Sequence, residues 1–217
     1  MISRRVIRAK QLTSEQTQTF NEPCWSIGEL SGRVCELQPD SSQTQAAESN
    51  TTSSALLTAA VRLMVQSQQR GDPAVWISAG PHLFFPPDLQ ANGVDLDAVV
   101  VVRLTDAPSA AQAADQLVRS GSFGIVVIDL VGFSALIPDA IIGRLSGLAR
   151  THDTAVLFLC DHTEQSRLGS IISLRAQVRS RAASDGRYSM EITVTKDKKR
   201  GRSWRWTEGG NGPPGLP

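Results

Sequence analysis

The stretch AADQLVRSGSFGIVVID, residues 113–129, joins two structural periods across one short turn. Its first seven residues complete a helix that Asp106 can cap, that Pro108 suits as a first-turn residue, and that Gly121 ends. The run GIVVID at 124–129 is short, β-branched and apolar, and reads as a strand. A helix delivered through a glycine turn into an apolar strand is one unit of a strand–helix repeat.

The same alternation continues on both sides. Upstream, RVCELQ (33–38), AVWISA (74–79) and AVVVVR (98–103) read as strands. The last is apolar on both faces, as a central parallel strand is. Between them lie a helix over 53–70, with Leu56, Leu57, Ala60, Leu63 and Met64 on one face and Gly71 as its stop, and a short helix over 87–92 ended by Gly93. Downstream, residues 138–152 form a helix that buries Ile141, Ile142, Leu145, Leu148 and Ala149, and TAVLFLC (154–160) is the next strand. This spacing predicts an α/β fold, a doubly wound and mainly parallel sheet with helices on both faces. Near the C-terminus the period changes to two. Leu174, Ala176 and Val178 alternate with Arg175, Gln177, Arg179 and Arg181, Asp185-Gly186 is a hairpin signal, and Tyr188, Met190, Ile192 and Val194 alternate with polar residues. KDKKRGR (196–202) reads as a second turn, and Trp204 and Trp206 share one face of a final strand. The sheet is therefore expected to end in an antiparallel meander. Three segments follow: a short basic one at 1–23, a core domain at 24–207, and a Gly/Pro-rich flexible tail at 208–217.

The chain has 217 residues, of which 41% are hydrophobic and 20% charged, a globular composition. No apolar run approaches the ~20 residues of a membrane span, and the polar N-terminus lacks a signal-peptide core, so a soluble cytosolic protein is expected. Cys24, Cys35 and Cys160 lack metal-site spacing and read as small buried hydrophobes. His82, His152 and His162 read as ordinary loop or helix-end histidines. The net charge of +1 conceals segregation: residues 11–174 hold 8 basic and 17 acidic residues, whereas 175–206 hold 10 and 3. A local positive field of that kind attracts polyanions whatever the total charge.

Four segments in order resemble the ATPase core of the RecA recombinase family, over roughly residues 24–207. GVDLD at 93–97 looks like the family's turn before a strand. Residues 113–129 are similar to its helix, "RSG" turn and Walker B strand, with Asp129 at the Walker B aspartate. Residues 144–160 resemble the following helix and strand, and VTKDK at 194–198 looks like the family's V-x-K-x-K. The departures are as specific. Between the strand at 33 and the helix at 53 the family carries G-x-x-x-x-G-K-[ST], whose backbone N–H groups and lysine cradle phosphates. Here the stretch is PDSSQTQAAESNTTSS, and no glycine, lysine or arginine occurs from Val34 to Val61. The family's catalytic glutamate would fall near Gly80, where no carboxylate stands. The two DNA-binding loops are shortened, to 130–137 and 161–169. Asp129 is then a vestigial Walker B residue, and no catalytic residue, cofactor-binding residue, metal site or cofactor is expected.

A trimmed RecA-like core without a working phosphate loop resembles the ImuA type of accessory protein. That resemblance implies a non-catalytic adaptor in the bacterial cytosol and nucleoid, acting in DNA-damage tolerance. Its expected partners are a Y-family polymerase homologue (ImuB type), an error-prone C-family polymerase and the recombinase. The rival readings are a RecA-family ATPase or recombinase regulator with a rearranged nucleotide site, and a RecA-like cell-division checkpoint inhibitor. DNA is expected to be touched weakly through Arg175, Arg179, Arg181, Lys196, Lys198, Lys199, Arg200 and Arg202, as a phosphate-binding patch. In the family the two lysines of V-x-K-x-K reach the neighbouring subunit's ATP, and Lys196 and Lys198 match them. Trp204 and Trp206 are expected to pack against the sheet rather than stack on bases.

Overall fold

The structure is a computed structural model that describes residues 22–40, 49–78, 84–133, 137–160, 168–182 and 187–211. The expected basic segment before residue 22, most of the Ser/Thr-rich stretch, the position near Gly80, the Asp185-Gly186 turn and the end of the tail lie outside them.

Eight strands form one sheet in the order β3-β2-β4-β5-β1-β6-β7-β8. These are β1 (Val34–Pro39), β2 (Ala74–Ser78), β3 (Val99–Arg103), β4 (Ile125–Asp129), β5 (Ala155–Leu159), β6 (Leu174–Ala182), β7 (Arg187–Asp197) and β8 (Trp204–Asn211). The first five strands run parallel, as does β6 beside β1, with Cys35 opposite Leu174. β7 and β8 close the sheet antiparallel, so the meander is present. Helices α1 (Ile27–Leu30), α2 (Ser49–Gln69) and α3 (Pro86–Ala91) cover one face, and α4 (Ala107–Arg119) and α5 (Asp139–His152) the other.

Strand parity divides the core. Cys35, Leu37, Trp76, Val127 and Leu157 face α2, while Val34, Val75, Ile77, Val126 and Phe158 face α4 and α5. β2, β4 and β5 are buried at every residue, which is why their sequences are continuously apolar. The caps behave as their residues require: the Asp106 carboxylate accepts from Ser109 N–H at 2.7 Å, and that bond holds its carboxyl below the usual carboxylate range. Gly124 begins β4 without a side chain because a Cβ there would lie 2.3 Å from Ser67 Oγ.

The structure corrects four expectations. β3 is an edge strand, not a central one: it pairs only with β2, and Val100 and Val101 are each 40% exposed. Its run of valines reflects β-propensity, and valines suit an edge as well as a centre. α2 begins at Ser49, four residues before the start expected at 53, since nothing from Ser49 onward breaks the helix. Cys24 is exposed, although Cys35 and Cys160 are buried as expected. Burial pushes the Cys35 thiol up to about 12, so it is an inert apolar group. The fourth correction concerns the basic residues and is described with them below.

Candidate functional site

The C-terminal ends of the parallel strands are where a doubly wound sheet places its ligands. Here Pro39, Ser78 and Asp129 end β1, β2 and β4, with Ser78 directly opposite Asp129. Asp129 is 4% exposed, and its Oδ1 accepts from Val131 N–H at 3.1 Å, a turn-forming bond within its own chain. Among the described residues no group of three or more His, Cys, Asp or Glu side chains could hold a metal ion. A 240 Å³ cavity lined by Arg70, Asp72, His152 and Asp153 lies at the opposite end of the strands. A shallow apolar groove of 470 Å³ runs between the β3 edge and α4, lined by Val102, Leu117 and Phe123 among others.

The eight predicted cations do not form one patch. Period-two geometry does put Arg175, Arg179 and Arg181 on one face of β6, the face opposite α2. The acids beside them were the unseen part. Arg175 Nε donates to Glu36 Oε2 at 2.6 Å, and the Glu36 side chain is fully buried. Arg179 donates to Glu191 at 2.5 Å and lies 3.7 Å from Asp40. Glu191 in turn meets Arg205 at 2.8 Å. Arg181, at the far end of β6, is exposed. The second group sits at the other end of the sheet, where the β7–β8 turn adjoins α1. Arg200 Nη2 donates to Glu29 Oε1 at 2.6 Å, and this bond raises its already high pKa. Lys199 approaches the same carboxylate at 3.8 Å, and Lys198, Lys199 and Arg202 are exposed. From Arg175 to Arg181 the strand rises roughly 20 Å, so Arg181 lies far from the turn group, whereas Arg175, paired in register with Lys196, stays beside it.

That turn is rigid because Asp197 is its buried hub. Its Oδ1 accepts from Arg33 Nη2 at 2.6 Å, from Lys199 N–H at 2.9 Å and from Arg200 N–H at 3.2 Å. Its Oδ2 accepts from Trp204 Nε1 at 2.9 Å. Burial pushes the Asp197 carboxyl up. The bonds from Trp204 and Arg33, with the Arg33 charge, outweigh that and hold it below the usual range. Trp204 therefore packs inward, as expected, at 8% exposed. Trp206 is half-buried beneath the Arg62 guanidinium, 5.8 Å above its ring, and Arg62 also pairs with Glu208.

Lys196, near the end of β7, and Lys198, just beyond it, donate to backbone carbonyls of the turn that leads into β6: Lys196 Nζ to Ser170 O at 2.8 Å and Lys198 Nζ to Ile171 O at 2.9 Å. Arg175 Nη2 donates to the adjoining carbonyl, Gly169 O, at 3.0 Å. Sequence reasoning found the three cations but not this arrangement. Glu36, Glu191, Glu29 and Arg205 were missed entirely. Their signal was parity across paired strands, and it becomes readable once the register is known.

A parallel sheet with helices on both faces, an acidic residue ending β4 and an antiparallel extension beyond β1 and β6 define an α/β domain of the kind built around nucleotide-binding strand ends. The family model of the RecA N-terminal domain matches residues 46–157, and the chain belongs to that family. Protein RecA of Clostridium acetobutylicum is 37% identical over 88 residues, which is 41% of this chain and 24% of the relative. Protein RecA of Bifidobacterium breve is 36% identical and that of Corynebacterium pseudotuberculosis 40%, again over 88 residues, covering 22% and 23% of those proteins. The matched region is thus about a quarter of the length of the curated relatives. No helix among the described residues is long and apolar enough to cross a membrane.

Proposed function

We propose that this chain is a non-catalytic RecA-like adaptor of DNA-damage tolerance, of the ImuA type. In this reading it recruits or regulates a Y-family polymerase homologue (ImuB type) and an error-prone C-family polymerase. The recombinase is a further partner, and DNA contact is weak and electrostatic. The observation that carries the reading is the segment between β1 and α2. Where the RecA family holds its phosphates with glycine backbone and a lysine, residues 34–61 contain no glycine, lysine or arginine and include Asp40 and Glu48. Neither close backbone approach nor a countercharge is available there for a triphosphate. Asp129 by itself can orient a metal but cannot retain a nucleotide. A RecA-family sheet without that cradle keeps its surfaces and loses its reaction, so its mechanism is binding.

Affinity capture of the tagged chain from DNA-damaged cells of its own host tests this. Recovery of the polymerase homologue with the error-prone polymerase is the expected result. Recovery of division proteins, or of the recombinase without polymerases, overturns the adaptor assignment. Saturable ATP binding by the purified chain overturns the non-catalytic part and favours the ATPase reading.

A further inference from the structure

Three helices stop at one corner of the sheet. α2 ends at Gln69, α4 at Arg119 and α5 at His152, and residues at or just past those ends line the 240 Å³ cavity at the N-terminal end of the strands, together with Ile27 and Ser31. Its ionisable side chains are Arg70, Asp72, His152 and Asp153. Each lies against a glycine that leaves it room. A Cβ on Gly28 would stand 3.0 Å from Arg70 Nη2, and one on Gly32 3.4 Å from Asp153 Oδ1. A Cβ on Gly121 would stand 2.8 Å from His152 Nδ1, and one on Gly124 2.7 Å from Asp72 Cβ. Four separate backbone segments thus admit four ionisable side chains to one small space.

The meander satisfies its charges internally, since Arg175, Arg179 and Arg200 each meet an acid. This corner does not. Among the described residues, none of the four side chains makes a hydrogen bond or an ion pair within the chain. The C-terminal ends of three helices present the negative pole of the backbone there, and Asp72 and Asp153 add two carboxylates, so a cation is favoured. Arg70 sets a second requirement, because a planar guanidinium is matched best by a carboxylate held through two parallel bonds. A ligand that answers both carries a cation and a carboxylate. Of the biological cations, a guanidinium fits better than an ammonium. Its fork matches an aspartate, and its plane can lie on the half-buried Phe123 ring in the cavity wall. The volume is below the ~300 Å³ at which sites for drug-sized ligands begin, so the occupant is of amino-acid size.

We propose that this cavity binds a guanidino amino acid, L-arginine or a close analogue, with its guanidinium on the Asp72 and Asp153 carboxylates and its carboxylate on Arg70. The site uses neither the segment between β1 and α2 nor the exposed cations of the meander. It therefore stands apart from the adaptor reading, and the two fail separately.

Isothermal titration of the full chain with L-arginine tests the site, and saturable binding with a dissociation constant of about 1 mM or tighter is expected. Agmatine lacks the carboxylate and L-citrulline lacks the charge, and each is expected to bind at least roughly tenfold more weakly, the scale of one charged hydrogen bond. The R70Q variant should bind L-arginine and agmatine equally, and D72N/D153N should bind L-arginine and L-citrulline equally. If the double variant melts at a much lower temperature than the native chain, D153N carries the comparison, because Asp153 is exposed at φ 53° and asparagine tolerates that conformation. Arginine at the C-terminus of a protein offers the same two groups. A Gly-Gly-Arg arm separates that source from the free amino acid, and saturable binding of either supports the site. No saturable binding of either, native affinity for agmatine or L-citrulline equal to that for L-arginine, or unchanged L-arginine affinity in the aspartate variants overturns it.

Discussion

Asp197 shows how one carboxylate decides whether a basic turn is a scaffold or a floppy loop. It joins Arg33 at the start of β1, Trp204 at the start of β8 and two backbone N–H groups of the turn between β7 and β8. Replacing Asp197 by Asn keeps an acceptor for Trp204 but leaves the Arg33 guanidinium, 7% exposed, without its countercharge. Breaking a buried pair on one side costs about 3–5 kcal/mol, so D197N should lower the urea-unfolding free energy by that order. The pH dependence follows from the same group. Its folded pKa lies below the ordinary carboxylate value, so its contribution is fully present above the unfolded pKa and is lost as pH falls through the lowered folded one. Urea midpoints measured from neutral pH downward should fall below the ordinary carboxylate range in the native chain, and this component of the fall should be missing in D197N.

Elements were legible wherever local chemistry decides them. The Asp106 cap, the αL Gly121 and the apolar runs of β2, β4 and β5 stand where the sequence implies, because caps, positive φ and burial are written into single residues. The place of β3 was not legible, since VVVVR looks the same at a centre and at an edge and only pairing distinguishes them. That difference is measurable. Val101→Lys on the exposed edge should change thermal stability by under about 1 kcal/mol and reduce concentration-dependent light scattering, as edge lysines do. Val127→Lys, two strands inward and fully buried, should prevent folding. Close approach between elements was equally hidden. Gly124 has no positive φ to mark it, yet its missing Cβ makes room for Ser67 and Asp72 at the end of α2. Gly124→Ala forces those groups apart and should cost about 1–3 kcal/mol in chemical denaturation, the scale of an overpacked contact.

Across the whole molecule, the charge segregation visible in the sequence is real, but its surface expression is smaller than the count suggests. Arg175 and Arg200 face acids contributed by β1 and α1, which lie outside 175–206, and Arg179 faces Glu191 of β7, which only the strand register brings opposite it. The positions of the cations were therefore readable and their partners were not, because partners come from sheet order and register. Of the eight predicted cations, Arg181 at one end of the meander and Lys198, Lys199 and Arg202 at the other are exposed. This predicts the strength of any single-strand binding. Each phosphate neutralised adds about −0.7 to the slope of log affinity against log salt, so these four cations give a slope of about −3, where all eight would give about −6. Lys199→Gln with Arg202→Gln should halve the slope to about −1.5 and leave stability nearly unchanged, since neither side chain is buried. Arg175→Gln should do the reverse. It strips the buried Glu36 of its guanidinium, lowers stability and, beyond that loss, leaves the slope of the folded protein near its original value. Fluorescence anisotropy of a labelled oligothymidylate across a salt series, run with thermal melts of the same variants, measures both quantities. A native slope near −6 would mean that the acids release their arginines to the nucleic acid, and the paired face of β6 would then belong to the interface.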